Sequence, residues 1–325
     1  MTAEAPLLSV VVVTYNSRDD IEACLDGVLG QLPDDGSHVV VLDNASSDGT
    51  ADLVTALVDD RGLDVRLIRS DENLGFARAC NRAAGLSDSE FVLLLNPDTA
   101  MRGGCIDALI DLARREPRGG LYGGRTFSSS GEVDPKSCWG RMTLWSLTCF
   151  AFGLSALFAD SQRFNPEGMG AWRRDDERHV DVVTGCLLLA RRDVWDRLGG
   201  FDERFFMYGE DADLSHRAAE LGYRPIITPH AELVHVVGAS SAAVHKEILL
   251  FRGKVTLIDK LWSGARRSLG RTLLLGGVAL RAYAASAGRG VLRATRNADH
   301  QTSPATWSQL WRRRAEWVDG WPPTT

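Results

Sequence analysis

The sequence predicts an α/β protein with a mainly parallel central sheet flanked by helices and a helical C-terminal extension. First, four apolar, mostly β-branched runs alternate with segments of helical periodicity in the first hundred residues, a pattern typical of buried parallel strands joined by crossover helices. Second, further apolar runs recur up to residue 237. Third, helical patterns rich in arginine replace them after Ala242.

Four strands are predicted before residue 100, with helices between them. The strands are residues 8–14, 38–43, 64–68 and 90–95, and the helices are 18–32, 50–57 and 73–84. Ligands of such sheets bind beyond the carboxyl ends of the strands. Polar residues follow three of the strands there: Thr14, Tyr15 and Asn16; Asp43 and Asn44; Asn96 and Asp98. The sequence therefore predicts a ligand site at this edge.

The middle of the chain is expected to complete the same domain. Strands are predicted at 180–189 and 225–237, and helices at 191–198 and 210–221. The 18 residues between Arg141 and Asp160 carry no charge, which reaches the length of a membrane span. Because Thr, Ser and Gly dilute this stretch, we expect a buried or membrane-facing helix instead.

The formal net charge of −6 hides an asymmetry. From Lys246 onward, 14 Lys and Arg residues stand against 5 Asp and Glu, so this part carries +9 and the rest −15. Four tryptophans lie in the last twenty residues: Trp307, Trp311, Trp317 and Trp321. Tryptophan beside cations is how interfacial membrane anchors are built. A helical pair packed on the core, with a solvated basic face, is the open alternative.

Composition and motifs disfavour several other classes. The 44% hydrophobic and 25% charged content is ordinary globular usage, and six scattered cysteines without a CxxC pair disfavour a zinc module or a disulfide framework. The N-terminal apolar run has no basic segment before it, so no signal peptide is expected. No GxGxxG follows the first strand, and GxxxxGK[ST] and GxSxG are absent.

Six motifs over about residues 7–242 resemble family 2 inverting glycosyltransferases of GT-A fold, closest to their bacterial rhamnosyltransferase-like branch. They are SVVVVTYNS, VVLDNASSDGT, NLGFARACN, LLLNPDT, TGCLLLARRDVWDRLGGFDERFFMYGEDADL and HVVGAS. The resemblance implies a GT-A domain at 1–242, with a nucleotide-binding half at about 1–100 and an acceptor and catalytic half at 101–242. Residues 243–325 form a basic, mostly helical region.

A nucleotide-diphosphate sugar needs an acceptor for its base N–H and donors or cations for its diphosphate. Asp43 is expected to accept the base imide N–H, with Thr14 and Tyr15 against the base and ribose. The predicted nucleotide-binding set is Thr14, Tyr15, Asn16, Asp43, Arg78 and Asn96. Arg78 would face the diphosphate, although a surface salt bridge explains it almost equally well.

The resemblance implies a divalent cation, Mn²⁺ or Mg²⁺, at the end of the fourth strand. The family usually presents an acidic pair there, but Asn96 stands at the first position, so only Asp98 offers a full charge. Oxygen ligands and retained water suit hard cations. His235 matches the place where related enzymes complete the metal shell, whereas His216, His230 and His245 are expected to be structural.

Transfer also needs a base for the acceptor hydroxyl. By resemblance, Asp211 is the catalytic base, and the helix N-terminus there favours its ionised form. The predicted acceptor-binding residues are Thr184, Gly185, Trp195 and Glu210. Asp213 is expected to be structural, and the alternative for all three acids is capping of a helix.

The sequence therefore predicts a metal-dependent inverting transfer of rhamnose from TDP-rhamnose to a glycan or polyprenyl-diphosphate-linked acceptor, with no nucleic acid partner. The basic tail and the uncharged 142–159 segment predict a peripheral enzyme on the cytoplasmic membrane face. Alternatives are UDP-galactofuranose or UDP-GlcNAc as donor, a silent nucleotide-sugar binding module, or a sugar-nucleotide nucleotidyltransferase. The last would need a Gly-rich, Arg-bearing loop after the first strand, which Thr14-Tyr15-Asn16-Ser17 is not.

Overall fold

The structure is a computed structural model that describes residues 5–235, 243–286 and 303–323. Their contacts divide the chain into two units. Unit 1 comprises Met1–Cys138, Arg174–Phe206 and Asp211–Gly238, and unit 2 comprises Trp139–Arg173, Met207–Glu210 and Ala239–Thr325. The domain boundary expected at residue 242 lies outside the described residues. Unit 2 includes Trp139–Arg173 in addition to the C-terminal region, a division that sequence order did not predict.

The strands belong mainly to unit 1. They are β1 Leu8–Thr14, β2 His38–Asp43, β3 Val65–Arg69, β4 Phe91–Leu95, β5 Thr99–Met101, β6 Leu121–Ser128, β7 Val133–Asp134, β8 Cys138–Trp139, β9 Arg178–His179, β10 Val182–Val183, β11 Leu187–Arg191 and β12 Ile226–His235. Its helices are α1 Ile21–Leu29, α2 Thr50–Arg61, α3 Phe76–Ala84, α4 Cys105–Arg115, α7 Arg192–Leu198 and α8 Glu210–Glu220, whose first residue falls in unit 2. The helices of unit 2 are α5 Leu144–Ala151, α6 Leu154–Leu157, α9 Ala243–Leu261, α10 Gly264–Ser286 and α11 Pro304–Arg312.

The central sheet has the strand order β3-β2-β1-β4-β11-β6-β12-β5. Strands β3, β2, β1 and β4 are parallel, β11 runs antiparallel to β4 and β6, and β12 runs parallel to β6. Every residue of β1 is buried, because apolar side chains of α1, α2 and α4 pack on the sheet and α3 also contacts β1 and β2. The predicted α/β fold with a largely parallel sheet flanked by helices is confirmed.

The prediction of a single strand at 180–189 is wrong. Two strands form there, β10 and β11, separated by residues 184–186. In this gap the Thr184 amide donates to the Ser137 carbonyl and the Gly185 amide donates to an Asp211 carboxylate oxygen, so neither is used in the main sheet. The strand predicted to reach residue 237 is described only as far as His235.

The C-terminal tryptophans contribute to the hydrophobic core of unit 2. Trp317 is fully buried and Trp321 is 7% exposed. Trp307 lies with its ring centroid 6.2 Å from that of Phe150 and 6.1 Å from that of Phe251. The prediction that these tryptophans reach headgroup depth is therefore wrong for Trp317 and Trp321, because a large apolar ring gains more by packing against neighbouring helices. The alternative, helices packed into a core, describes this region.

The uncharged segment 142–159 is not one helix as expected. Helix α5 begins at a capping box formed by Thr143 and Ser146, and the chain turns at Gly153, whose φ of 73° ends the helical path before α6. Across residues 5–235, 243–286 and 303–323, no helix combines the length and the apolar character needed to cross a bilayer.

Candidate active site

The carboxyl ends of β1 and β2 hold the first predicted group. The parallel register sets Thr14 opposite Asp43. The Thr14 hydroxyl donates to Asp43 Oδ1 over 2.9 Å, and the Ser46 amide donates to Oδ2 over 3.0 Å. Both Thr14 and Asp43 are buried. The Asp43 carboxylate is therefore held in one orientation at the edge where the sequence predicts it.

The loop after β1 presents Tyr15 and uses Asn16 internally. The Tyr15 side chain is 51% exposed. Asn16 adopts a left-handed φ of 53°, and its Oδ1 accepts from the Ser47 amide over 2.8 Å. The Asn16 amide in turn donates to Ser46 Oγ. Asn16 thus connects the loop after β1 to the loop after β2 by hydrogen bonds. The neighbouring Tyr15 presents an exposed aromatic ring.

Asn44 has a role that sequence reasoning did not assign. It is buried, its Oδ1 accepts from the Leu74 amide over 2.8 Å, and its Nδ2 donates to Asn73 Oδ1 and to the Gly75 carbonyl. Gly75 has a φ of 78°, and a Cβ there would lie 2.5 Å from the Phe206 carbonyl oxygen. Asn44 therefore fixes the loop that leads into α3. In the sequence, only its position as a polar residue after a strand, inside the VVLDNASSDGT motif, could have indicated this role.

Arg78 lies on α3 and is 58% exposed, with its Nε 3.9 Å from Glu203 Oε2. It lines a cavity of about 400 Å³ together with Leu74, Asn81, Arg82 and Glu203. Within the described part of the chain it makes no hydrogen bond or ion pair with Asp43, Asp98 or Asp211. The surface ion pair considered for Arg78 is present, and the structure does not bring this residue into contact with the other candidates.

Asp98 and His235 meet at the edge of the sheet. Strands β5 and β12 are antiparallel, with His235 opposite Thr99, which brings His235 Nε2 to 3.0 Å from Asp98 Oδ2. His235 Nδ1 lies 4.0 Å from Asp134 Oδ2. The preceding Asn96 is held through its main chain, its amide donating to the Cys186 carbonyl over 3.2 Å. Asp98 and His235, the two predicted metal ligands, are thus in contact although they lie 137 positions apart in the sequence.

The Asp98 and His235 pair fits a divalent cation. The second carboxylate oxygen, Asp98 Oδ1, is buried and accepts no hydrogen bond from the residues described, and an unsatisfied buried acceptor is costly unless a ligand engages it. In the same part of the chain, no group of three or more His, Cys, Asp or Glu residues could hold a metal. Among the described residues Asp98 and His235 are therefore the two candidate ligands, and substrate oxygens and water would have to fill the other positions.

Asp211 lies at the start of α8 and is fixed by two backbone amides. Its Oδ1 accepts from the Ala212 amide over 2.8 Å and its Oδ2 from the Gly185 amide over 3.3 Å. Burial raises the pKa of the Asp211 carboxyl, and the hydrogen bonds from Ala212 and Gly185 only partly oppose this. The Ala212 amide at the start of α8 favours the ionised form as expected, but burial has the larger effect on the pKa. A higher pKa makes the carboxylate a stronger proton acceptor.

Residues 185 and 186 connect these two groups. The Gly185 amide binds Asp211, and the Cys186 carbonyl accepts from the Asn96 amide two residues before Asp98. Burial, and then the charges of Asp98 and Asp211, raise the pKa of the Cys186 thiol to about 12 against a hydrogen bond from Thr184 that lowers it. Asp211 and the segment that leads from Asn96 to Asp98 therefore contact adjacent residues of the chain, Gly185 and Cys186, within unit 1.

Not every predicted acceptor residue reaches this site. Trp195 is 4% exposed and packs edge-on against Phe201 at 5.3 Å, so the structure places it in the core and its predicted role is corrected. Thr184 is buried, and its hydroxyl contacts the Ser137 carbonyl and Cys186 Sγ. Glu210 is buried, 6% exposed. Asp213, fully buried and 2.7 Å from Arg217 Nε, is structural as predicted.

The chain is similar in sequence to a known family and to known proteins. Residues 9–195 match the family model Glycosyl transferase family 2. Over 300 residues the chain is 33% identical to the N-acetylglucosaminyl-diphospho-decaprenol L-rhamnosyltransferase of Mycobacterium tuberculosis (strain ATCC 25618 / H37Rv), covering 85% of this chain and 92% of that one. It is 28% identical over 241 residues to the O-antigen biosynthesis protein RfbC of Myxococcus xanthus, covering 73% of this chain and 18% of that protein.

Solved structures share the fold at lower identity. The mannosyltransferase PcManGT from Pyrobaculum calidifontis, in complex with GDP-Man and Mn²⁺, matches with a TM-score of 0.58 and 23% identity over 97% of this chain and 86% of that chain. GalNAc-T7 with UDP, GalNAc and Mn²⁺ matches with a TM-score of 0.59 and 13% identity, covering 96% of this chain and 54% of that one. At these identities the likeness shows a common GT-A fold.

Proposed function

This chain belongs to glycosyl transferase family 2, in its rhamnosyltransferase-like branch, and is a glycosyltransferase; from that premise we propose that it moves rhamnose from TDP-rhamnose to a polyprenyl-diphosphate-linked sugar during cell-envelope polysaccharide synthesis. The observation that carries the chemistry is that Gly185 binds Asp211 while the next residue, Cys186, binds the main chain two residues before Asp98, which pairs with His235. The choice of sugar and acceptor rests on the 33% identity to the mycobacterial rhamnosyltransferase.

The nucleotide would bind at the carboxyl ends of β1 and β2. The Thr14 and Ser46 donors hold the Asp43 carboxylate, which leaves further lone pairs on its oxygens for the base imide N–H. The exposed Tyr15 ring offers a stacking face for the base. Arg78, at the rim of the α3 cavity, would be the cation available to the diphosphate.

Asp98 and His235 would hold the divalent cation. When bound, such a cation neutralises the negative charge that develops on the departing diphosphate. Asp98 supplies the buried oxygen that accepts no hydrogen bond within the described residues. His235 is kept in place by Asp98 and faces Asp134 on its other side. An imidazole nitrogen in the ligand set favours Mn²⁺ over Mg²⁺, which prefers oxygen alone.

Asp211 would act as the general base. As the acceptor hydroxyl oxygen bonds to the anomeric carbon, its proton passes to the Asp211 carboxylate, while the bond from that carbon to the diphosphate breaks on the opposite face and the configuration inverts. The Gly185 amide keeps the carboxylate oriented, and its raised pKa increases its affinity for the proton. Because polyprenyl acceptors reside in membranes, we place the reaction at the cytoplasmic membrane face.

A donor panel tests this proposal. The full-length chain is incubated with polyprenyl-diphosphate-linked GlcNAc and TDP-rhamnose, UDP-galactofuranose or UDP-GlcNAc, in Mn²⁺, Mg²⁺ or EDTA. We expect nucleoside diphosphate release and a product heavier by one deoxyhexose with TDP-rhamnose and Mn²⁺ only, and loss of turnover in EDTA. Turnover with a UDP-sugar alone would reassign the donor. Donor binding without turnover in any metal would indicate a silent binding module. In a separate incubation with a sugar 1-phosphate and a nucleoside triphosphate, release of pyrophosphate would indicate a nucleotidyltransferase.

A further inference from the structure

Unit 2 carries a cluster of exposed aromatic and aliphatic side chains that the proposed reaction does not use. We name Trp145, Leu157, Phe158 and Phe164 the aromatic patch. The first three are 44%, 58% and 49% exposed. The Phe164 ring centroid lies 6.1 Å from that of Trp145 and 5.0 Å from that of Phe158, so the three rings adjoin, and Leu157 directly precedes Phe158 in the sequence. Such clusters on a protein surface usually mark an interaction site.

The indole N–H of the aromatic patch is hydrogen-bonded, and an arginine lies beside the patch. The Trp145 indole N–H donates to the Arg163 carbonyl over 2.6 Å, and the Arg163 guanidinium lies 5.8 Å from the Phe164 ring centroid. Aromatic rings flanked by arginines suit the boundary between acyl chains and headgroups.

The net charge of unit 2 indicates what kind of surface the aromatic patch would bind. Its sequence contains 17 Lys and Arg against 8 Asp and Glu, a net charge of +9, whereas unit 1 contains 20 against 35, a net charge of −15. Three of the cations, Arg271, Arg312 and Arg314, line a further cavity of about 570 Å³ in unit 2. Two copies of a unit with charge +9 repel each other, whereas an anionic lipid surface attracts it.

We propose that the aromatic patch inserts into the headgroup layer of an anionic membrane, while the basic surface of unit 2 supplies the long-range attraction. This inference deepens the proposed function and rests on it, since the proposed acceptor is embedded in lipid. It replaces the sequence-based expectation that the C-terminal tryptophans form the anchor, because Trp317 and Trp321 are buried.

Vesicle binding tests the patch. The full chain, the double variant Leu157→Ser/Phe158→Ser and the control Leu221→Ser are sedimented with phosphatidylcholine vesicles, with or without about 30% phosphatidylglycerol. Leu221 is the matched control because it is 44% exposed in unit 1. We expect the unsubstituted chain to bind the anionic vesicles and the patch variant to bind about tenfold less. The control should bind like the unsubstituted chain, and about 0.5 M NaCl should weaken all binding.

Equal binding by the patch variant and the unsubstituted chain would overturn the inference. A concentration-dependent dimer that the patch variant abolishes would also overturn it, in favour of a second copy on this face. Circular dichroism and thermal unfolding confirm that the exposed substitutions leave the fold intact. Turnover of a detergent-solubilised acceptor separates the two proposals: it should be unchanged in the patch variant, and its absence in every variant would count against the reaction.

Discussion

At Asp211, a single carboxyl group is subject to opposing influences on its pKa. Burial raises the pKa, and the Ala212 and Gly185 amides lower it by less. Because the folded-state pKa lies above the unfolded value, the native state binds the proton more tightly. The free energy of unfolding therefore falls as the pH rises from the ordinary pKa through the raised one, and it stays lower above that range. Ionisation of the buried Asp211 carboxyl therefore lowers the free energy of unfolding.

This balance predicts the behaviour of Asp211→Asn. Turnover should fall about 10²- to 10⁴-fold, the usual contribution of a general base, while donor affinity measured by calorimetry stays within about twofold. The free energy of unfolding at neutral pH should be unchanged or higher, because the amide carries no buried charge. The kcat of the unsubstituted chain should fall on acidification at a pH above that of an ordinary aspartate. Joint loss of donor binding, turnover and stability would show that Asp211 is structural.

Individual residues were predictable where their chemistry is distinctive. Asp43, Asp98 and Asp211 carry charge at strand or helix ends, and the motifs around them point to the same ligand. Asn44 could not be assigned from sequence, because its value lies in three hydrogen bonds to a loop about 30 residues away. Trp195 was assigned to the acceptor side, but nothing in its local sequence reveals that it packs on Phe201.

At the scale of elements, the turn before α8 depends on a close approach to another helix. Tyr208 and Gly209 adopt left-handed φ values of 65° and 102° immediately before Glu210 and Asp211. In unit 2, Gly253 of α9 lies directly against the Tyr208 carbonyl oxygen, well inside the distance that a Cβ would tolerate. Only glycine allows this packing, and Tyr208 lies three residues before Asp211, the proposed base.

We therefore expect Gly253→Ala to lower kcat at least about tenfold, because displacing a catalytic group by about 1 Å can cost two orders of magnitude. The matched control is Gly276→Ala on α10, where a Cβ would meet no atom within 4 Å. That control should keep full activity and gain up to about 1 kcal/mol from helix propensity. Steady-state kinetics and thermal unfolding of both variants provide the comparison. Equal activity of the two would mean that the turn does not depend on Gly253.

Some elements were predicted from the sequence, whereas others, among them the helix α4 and the central strand β6, were not. Strands β1 and β2 have the predicted bounds because each is a continuous apolar run at a buried position. The pairing of β5 with β12, and the gap at residues 184–186, depend on partners far along the chain. Local periodicity carries no information about such pairings, and the gap is what gives Asp211 its amide donor.

At the scale of the whole molecule, segments of the two units alternate along the sequence. Unit 2 is assembled from three separate stretches, of which Trp139–Arg173 lies between two segments of unit 1. In its core, Leu147 of α5 packs with residues of α9 and α10, among them Phe251 and Val278. The buried Arg281 also donates to the Phe150 carbonyl, and burial lowers its pKa to about 10. A boundary drawn along the sequence cannot reveal this arrangement.

Truncation after residue 242 should therefore fail to give a stable protein, although the sequence predicts a domain boundary there. The cut removes α9, α10 and α11 and leaves apolar residues of α5, among them Leu147 and Phe150, without their packing partners. Loss of one large core side chain costs about 2–5 kcal/mol, so loss of several exceeds the roughly 5–15 kcal/mol that stabilises a typical domain. We expect insoluble expression, or soluble protein that binds a hydrophobic dye and unfolds without a cooperative transition.

The control for this truncation is a chain that ends at Trp321. It removes the exposed Pro322 and Pro323 but keeps Trp321, whose amide donates to Thr256 Oγ1 and whose ring lies 4.2 Å from the Arg252 guanidinium. Because exposed terminal residues contribute little to stability, its melting temperature should match that of the full chain. A soluble, cooperatively folding 1–242 fragment that binds the donor would contradict the prediction and show that α5 needs no partner from the C-terminal helices.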